Sequence, residues 1–123
     1  MKFSSDNRPL YEVKANLFKG LSHPVRIRVL ELLAEEPEVS VAALLAETGL
    51  EASHLSQHLA VLRKNNLVAA ERRQSQVFYR LAYPRVAGLL SVARALLGEI
   101  LETNRRQLES SAALAPIEVA NPR

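Results

Sequence analysis

ASHLSQHLAVLRKNNLVAAERRQSQVFYRL, residues 52–81, carries two hydrophobic periods in succession, and the change between them decides the fold. At about 100° per residue, Leu55, Leu59 and Leu62 lie within roughly 60° of one another, which predicts a helix over 52–65 with one narrow buried stripe. Ser53, Gln57 and Lys64 fall nearly opposite that stripe. Ser56 and Arg63 occupy one flank, and His54 and His58, four apart, occupy the other. Beyond the helix, Val68 and the run Val77–Leu81 favour strands, with polar residues 72–76 between them, so a two-stranded hairpin is expected.

Working outward, Gly49 predicts a tight turn before this helix. Ser40 predicts the cap of a short helix carrying Val41, Leu44 and Leu45. Upstream, Val25, Ile27, Val29, Leu30, Leu32 and Leu33 make a helix apolar on most of its circumference, with Ser22 a plausible cap, and Glu35, Glu36 and Pro37 end it. His23, beside Pro24, reads as a structural or capping histidine. Pro9 suits the first turn of an earlier helix whose apolar face is Leu10, Val13, Leu17 and Leu21, with Gly20 as its terminator. Downstream, Tyr83 and Pro84 introduce a last helix to about residue 108. The expected organisation is a flexible arm over 1–8, one domain over 9–108 and a disordered tail over 109–123.

The composition narrows the field. A chain of 123 residues with 48% hydrophobic content suits one domain, and 5% aromatics with no Trp means a core of Leu, Val, Ile and Ala, hence a mainly α protein. The formal charge of +3 is modest. Its distribution is not: Arg63, Lys64, Arg72, Arg73, Arg80 and Arg85 face only Glu51 and Glu71 within residues 51–85, which suggests a localised phosphate-binding surface. The bland counterpart is a solvated charged face. The absence of cysteine removes disulfides, thiolate metal sites and thiol redox chemistry, and fits the cytoplasm. No secretory signal or membrane-length apolar run is visible, and neither is a catalytic triad, a phosphate-binding glycine loop or a metal set, so no enzymatic activity and no membrane association are expected.

Two helices joined by a glycine turn, followed by a basic hairpin, match the parts of a winged helix-turn-helix with five helices and a two-stranded wing. Its polar helix face offers Gln57, able to hydrogen-bond adenine bidentately, with Ser53, His54 and Ser56 as short neighbours. Arg63 and Lys64 offer cations for phosphate. In the wing, Arg72, Arg73, Gln74 and Gln76 can follow a phosphate backbone or enter a minor groove. Each of these side chains has an ordinary surface role as its competing reading. His54 and His58 have the spacing of a two-histidine metal site, but two ligands are incomplete.

The runs LSHPVRIRVLELL at 21–33, ASHLSQHLAVLRKNNLV at 52–68 and VFYRL at 77–81 resemble the ArsR/SmtB family of bacterial repressors. The resemblance covers about residues 9–105. It implies dimerisation through the first and last helices, the fourth helix in the major groove with residues 53, 54, 56 and 57 reading bases, and Arg72 and Arg73 in the wing. It also exposes departures. Glu51 stands where a short capping residue is usual, and the wing tip lacks glycine. At the positions where metal-responsive members carry two cysteines, this chain has Ser40 and Ala42, and residues 84–110 hold no His and only Glu99, Glu102 and Glu109 as acids. No conventional metal cofactor is therefore expected, while an atypical nickel or zinc site of one histidine and interface carboxylates stays open.

On the last helix, Val86, Leu90, Ala93, Leu97 and Leu101 form a stripe, widened by Leu89, Leu96 and Ile100, that is too broad for so small a chain to cover. With Leu10, Val13 and Leu17 it predicts a homodimer interface. The expected function is a dimeric repressor binding an inverted-repeat, double-stranded operator, with the effector unassigned. The rival is a winged-helix module that binds protein or RNA without operator specificity.

Overall fold

A computed structural model describes residues 8–114. The elements follow in the order α1 (Leu10–Leu21), α2 (Pro24–Glu35), β1 (Val39–Ser40), α3 (Val41–Thr48), α4 (Ala52–Lys64), β2 (Val68–Arg73), β3 (Gln76–Leu81) and α5 (Arg85–Leu114). Among the described residues, 8–87 make one packed unit and 88–114 make a second. The first unit is built on α2, whose Val29, Leu30, Leu32 and Leu33 are buried with Leu44 of α3 and Leu55, Leu59 and Leu62 of α4. Each such side chain contributes about 1.5–3 kcal/mol through removal from water.

The helix ends follow local chemistry. Ser40 caps α3, its Oγ accepting from the Ala43 amide at 3.0 Å, and Gly49 closes α3 in the left-handed region at φ 70°, where side chains other than glycine's are strained. At the end of α4, Asn66 sits at φ 62°, with its amide donating to Arg63 O and the Leu67 amide reaching back to Leu62 O, each at 3.0 Å. That pair of bonds is a Schellman closure with asparagine in place of glycine, sealed by the buried Leu62 and Leu67. It turns the chain directly into β2.

Several expectations need correction. Gly20 does not end α1, which continues to Leu21; it lies within the last turn, where a Cβ would come 2.5 Å from Asn65 Nδ2. Its role is close approach rather than termination. Pro9 stands just outside α1 as its N-cap. Ser22 belongs to the end of α1, and α2 is capped instead by His23, whose Nδ1 accepts from the Val25 amide at 3.1 Å. The helix α5 runs past 108 to Leu114, because Arg105 joins Glu102 and Glu109 across successive turns and no proline or glycine intervenes. The remainder of the expected tail, 115–123, and residues 1–7 of the expected arm lie outside the described residues.

The wing is a longer hairpin than expected and has a third strand. In the antiparallel order β1-β3-β2, β2 and β3 pair from Val68↔Leu81 to Arg73↔Gln76, while β1 adds Val39↔Tyr79 and Ser40↔Phe78. Only Gln74 and Ser75 form the loop, so Arg72, Arg73 and Gln76 stand in the ladder. The missing glycine has a visible consequence: Gln74 occupies φ 57°. Left-handed backbone costs a non-glycine residue about 1–2 kcal/mol, part of which glycine's greater unfolded freedom would offset. Gln74→Gly should therefore stabilise the protein by about 0.5–1 kcal/mol, read as a rise of a few degrees in Tm. An unchanged or lowered Tm would show that the turn stores no strain.

Candidate nucleic-acid interface

The three buried leucines of α4 fix its rotation, and with it the opposite face. Ser53, His54, Ser56, Gln57, Arg63 and Lys64 are all exposed on this helix, as the periodicity predicts. Glu51 occupies the N-cap without a side-chain capping bond, yet the helix still begins at Ala52. At the far end, Arg63 Nη1 donates to the Tyr79 hydroxyl at 3.4 Å, tying α4 to β3. Arg63 is therefore partly committed within the fold, whereas Lys64 has no ion-pair partner among the described residues.

His58 leaves the exposed set. It is half-buried, with its ring centroid 4.3 Å from that of His23, and its Nδ1 lies 3.3 Å from Arg26 Nη1. A guanidinium can only donate, so Nδ1 must accept and the ring proton sits on Nε2. Burial first, then the neighbouring charges of His23, Arg26 and His54, hold the His58 pKa below the ordinary histidine value. His58 thus joins α4 to the start of α2. Among the described residues, no three His or acidic side chains lie close enough together to hold a metal ion.

In the wing, Arg72, Gln74 and Gln76 are exposed, and Arg72 has no ion-pair partner among the described residues. Arg73 differs sharply. Its Nη1 meets Glu38 Oε1 at 3.0 Å while Nη2 makes a short contact with Glu38 Oε2, Glu71 lies 3.5 Å away, and the guanidinium carbon sits 4.0 Å over the Phe78 ring. This two-pronged pairing holds the Glu38 carboxyl below its usual range. Arg73 anchors the wing to the segment before β1. The two adjacent arginines, equivalent in sequence, are unlike in structure, and Glu38 is the residue that sequence reasoning missed. Nothing local to Glu38 signals a partner 35 positions away.

The residues expected at a dimer interface divide by exposure. Leu10 is 67% exposed, Leu97 54% and Leu101 58%, and Ala93 is also exposed, while Val13, Leu17 and Leu90 are half-buried. Val92, Leu96 and Ile100 extend the uncovered apolar surface of α5. No helix among the described residues is long and apolar enough to cross a membrane.

Comparison with known proteins agrees with this architecture. A helix-turn-helix domain family matches residues 21–70. An HTH-type transcriptional regulator of Mycobacterium tuberculosis, Rv0081, is 45% identical over 104 residues, covering 85% of this chain and 91% of its own. Its crystal structure superposes with a TM-score of 0.74 and 48% identity over 80% of this chain and 98% of that one. The homodimeric winged helix-turn-helix DNA-binding domain Mb0332 of Mycobacterium bovis, described as a possible ArsR-family regulator, gives a TM-score of 0.68 at 30% identity over 77% and 89% of the two chains. A biofilm growth-associated repressor of Xylella fastidiosa is 43% identical over 77 residues, 63% of this chain and 67% of that protein.

The His58 environment predicts a pH dependence. Its folded pKa lies below the unfolded value of about 6.5, so the unfolded chain takes up the proton first as pH falls. The stability it supplies is complete above that value and is lost as pH falls through the folded pKa. Denaturant titrations between pH 7.5 and 5 should show this decline, and His58→Gln should reduce it; an identical decline in the variant would clear His58 as its source.

Proposed function

The chain belongs to the ArsR/SmtB-type winged helix-turn-helix transcriptional regulators, which bind DNA, and from that premise we propose that it is a homodimeric repressor of the cytoplasm recognising an inverted-repeat operator. The observation that carries the reading is the exposed polar face of α4 opposite three buried leucines. Gln57 reads adenine, Ser53, His54 and Ser56 contact neighbouring base edges or phosphates, and Lys64 with Arg63 holds the backbone. Arg72, Gln74 and Gln76 extend the contact along the wing. Arg73 contributes mainly by keeping the wing in position, because its charge is already matched by Glu38.

Dimerisation uses the uncovered faces of α1 and α5. Two-fold pairing presents two copies of α4 to successive major grooves about 34 Å apart, which is why the operator is an inverted repeat. Repression then follows from occupation of the promoter. Nothing in this reading requires a metal or another cofactor: Ser40 is spent as a helix cap, and Glu102 and Glu109 are paired with arginines. A dimer touching about eight phosphates should lose affinity with salt at a slope of roughly −7 on logarithmic axes.

Two substitutions test the assignment. Gln57→Ala should weaken operator binding by about 1–3 kcal/mol while leaving non-specific DNA binding nearly unchanged, as read by competition titrations. An equal loss on both would remove Gln57 from base reading, and sequence-independent binding by the parent protein would favour the interaction-module alternative. Leu97→Glu should give monomers in sedimentation and abolish operator binding; a persisting dimer would mean that the interface lies elsewhere.

A further inference from the structure

The first unit contains a cleft of which the operator reading uses only Lys64, at its rim. It holds about 570 Å³ and lies between α1, the start of α2 and the C-terminal end of α4. Lys19, Arg26, Lys64 and Arg8 line it together with the amides of Asn16 and Asn65, and no carboxylate lines it among the described residues. Lys19 and Lys64 have no ion-pair partner among the described residues. Arg26 donates through Nε to Gly20 O at 2.6 Å and through Nη1 to His58 Nδ1, and neither acceptor carries a negative charge.

The mundane explanation is that Lys19 and Lys64 each serve the negative end of their own helix, since both stand in a last turn. That accounts for each lysine singly. It does not account for their meeting around one concavity with a guanidinium that the backbone already holds in place. Like charges gathered in this way repel, and a bound polyanion relieves the repulsion. The volume falls within the range of small-molecule sites, well beyond what a single ion fills. A fixed guanidinium beside mobile ammonium groups suits phosphate oxygens, which take a planar donor and point charges together.

We infer that this cleft binds a small phosphate-bearing molecule, through Lys19, Arg26 and Lys64 with Asn16 as a polar neighbour. Phosphate could also come from the DNA backbone. Lys64 lies eleven residues beyond Ser53, about 16 Å along the axis of α4, at the end away from the base-reading side chains, which favours a free ligand. The site shares Lys64 with the proposed DNA contacts, but its occupancy can be measured without DNA. It nevertheless touches the recognition helix, through Lys64 directly and through the Arg26–His58 contact.

The test uses the full chain, with inorganic pyrophosphate as the probe and sodium chloride matched in ionic strength as the control. Pyrophosphate should raise Tm saturably beyond the chloride control and give a measurable isotherm in calorimetry. Lys19→Glu, an exposed change outside the DNA-contact set, should weaken that binding at least tenfold while operator affinity stays within about twofold. Pyrophosphate acting no differently from chloride would overturn the inference, as would a Lys19→Glu protein that binds it normally. A third result also overturns it: no pyrophosphate binding, but a loss of operator affinity and a shallower salt slope in Lys19→Glu, which would make the cleft a DNA-backbone contact. Failure of the parent chain to bind any operator would count against the repressor reading alone, since pyrophosphate binding is measured without DNA.

Discussion

Burial of Leu55, Leu59 and Leu62 is the constraint on which the remainder of the first unit depends. A helix with one narrow apolar stripe has a single comfortable rotation about its axis, and that rotation decides which side chains meet solvent. Turning α4 by one residue would bury Ser56 and Arg63 in one direction, or His54 in the other, without partners, at a cost comparable to losing several hydrogen bonds. The exposed polar face is thus specified by what lies behind it. The Gly49 turn, the Asn66 closure and the Arg26–His58 and Arg63–Tyr79 contacts then hold α4 at both ends.

The readable features were those that a local period or cap encodes. The rotation of α4, the Ser40 cap, the Gly49 turn and the strand character of Val77 to Leu81 follow from neighbours within a few residues, and the structure contains each of them. What was not legible depends on distant partners. Gly20 looks like a stop signal until Asn65 arrives against it from α4, and β1 is two residues long, too short to carry an alternation. The unequal fates of Arg72 and Arg73 are of the same kind. Their positions in β2 turn them to opposite faces, and only one face meets Glu38 and Phe78. The longer α5 was legible in principle, because Glu102, Arg105 and Glu109 have helical spacing, but serine and alanine beyond them resemble a tail.

The family frame and the particular residues answer different questions. Similarity to regulators such as Rv0081 extends over most of this chain and accounts for its general role. The response of any one member resides in a few positions, and here those positions lack the usual thiolate chemistry. Ser40 is occupied as a cap, the chain has no cysteine, and Glu102 and Glu109 of α5 pair with Arg105. What the first unit offers instead is concentrated positive charge, arranged on the wing, on α4 and around the cleft behind it. Those three regions differ in the extent to which the fold already neutralises them.

The uncovered apolar stripe of α5 bears on how such a protein works at low copy number. A chain that must find a second copy before it can grip both halves of a palindrome is recruited in proportion to the square of its abundance when scarce, and linearly once pairing saturates. Silencing would then set in abruptly over a narrow span of expression. A protein that controls its own synthesis would gain a threshold from helix chemistry alone, without any added signal.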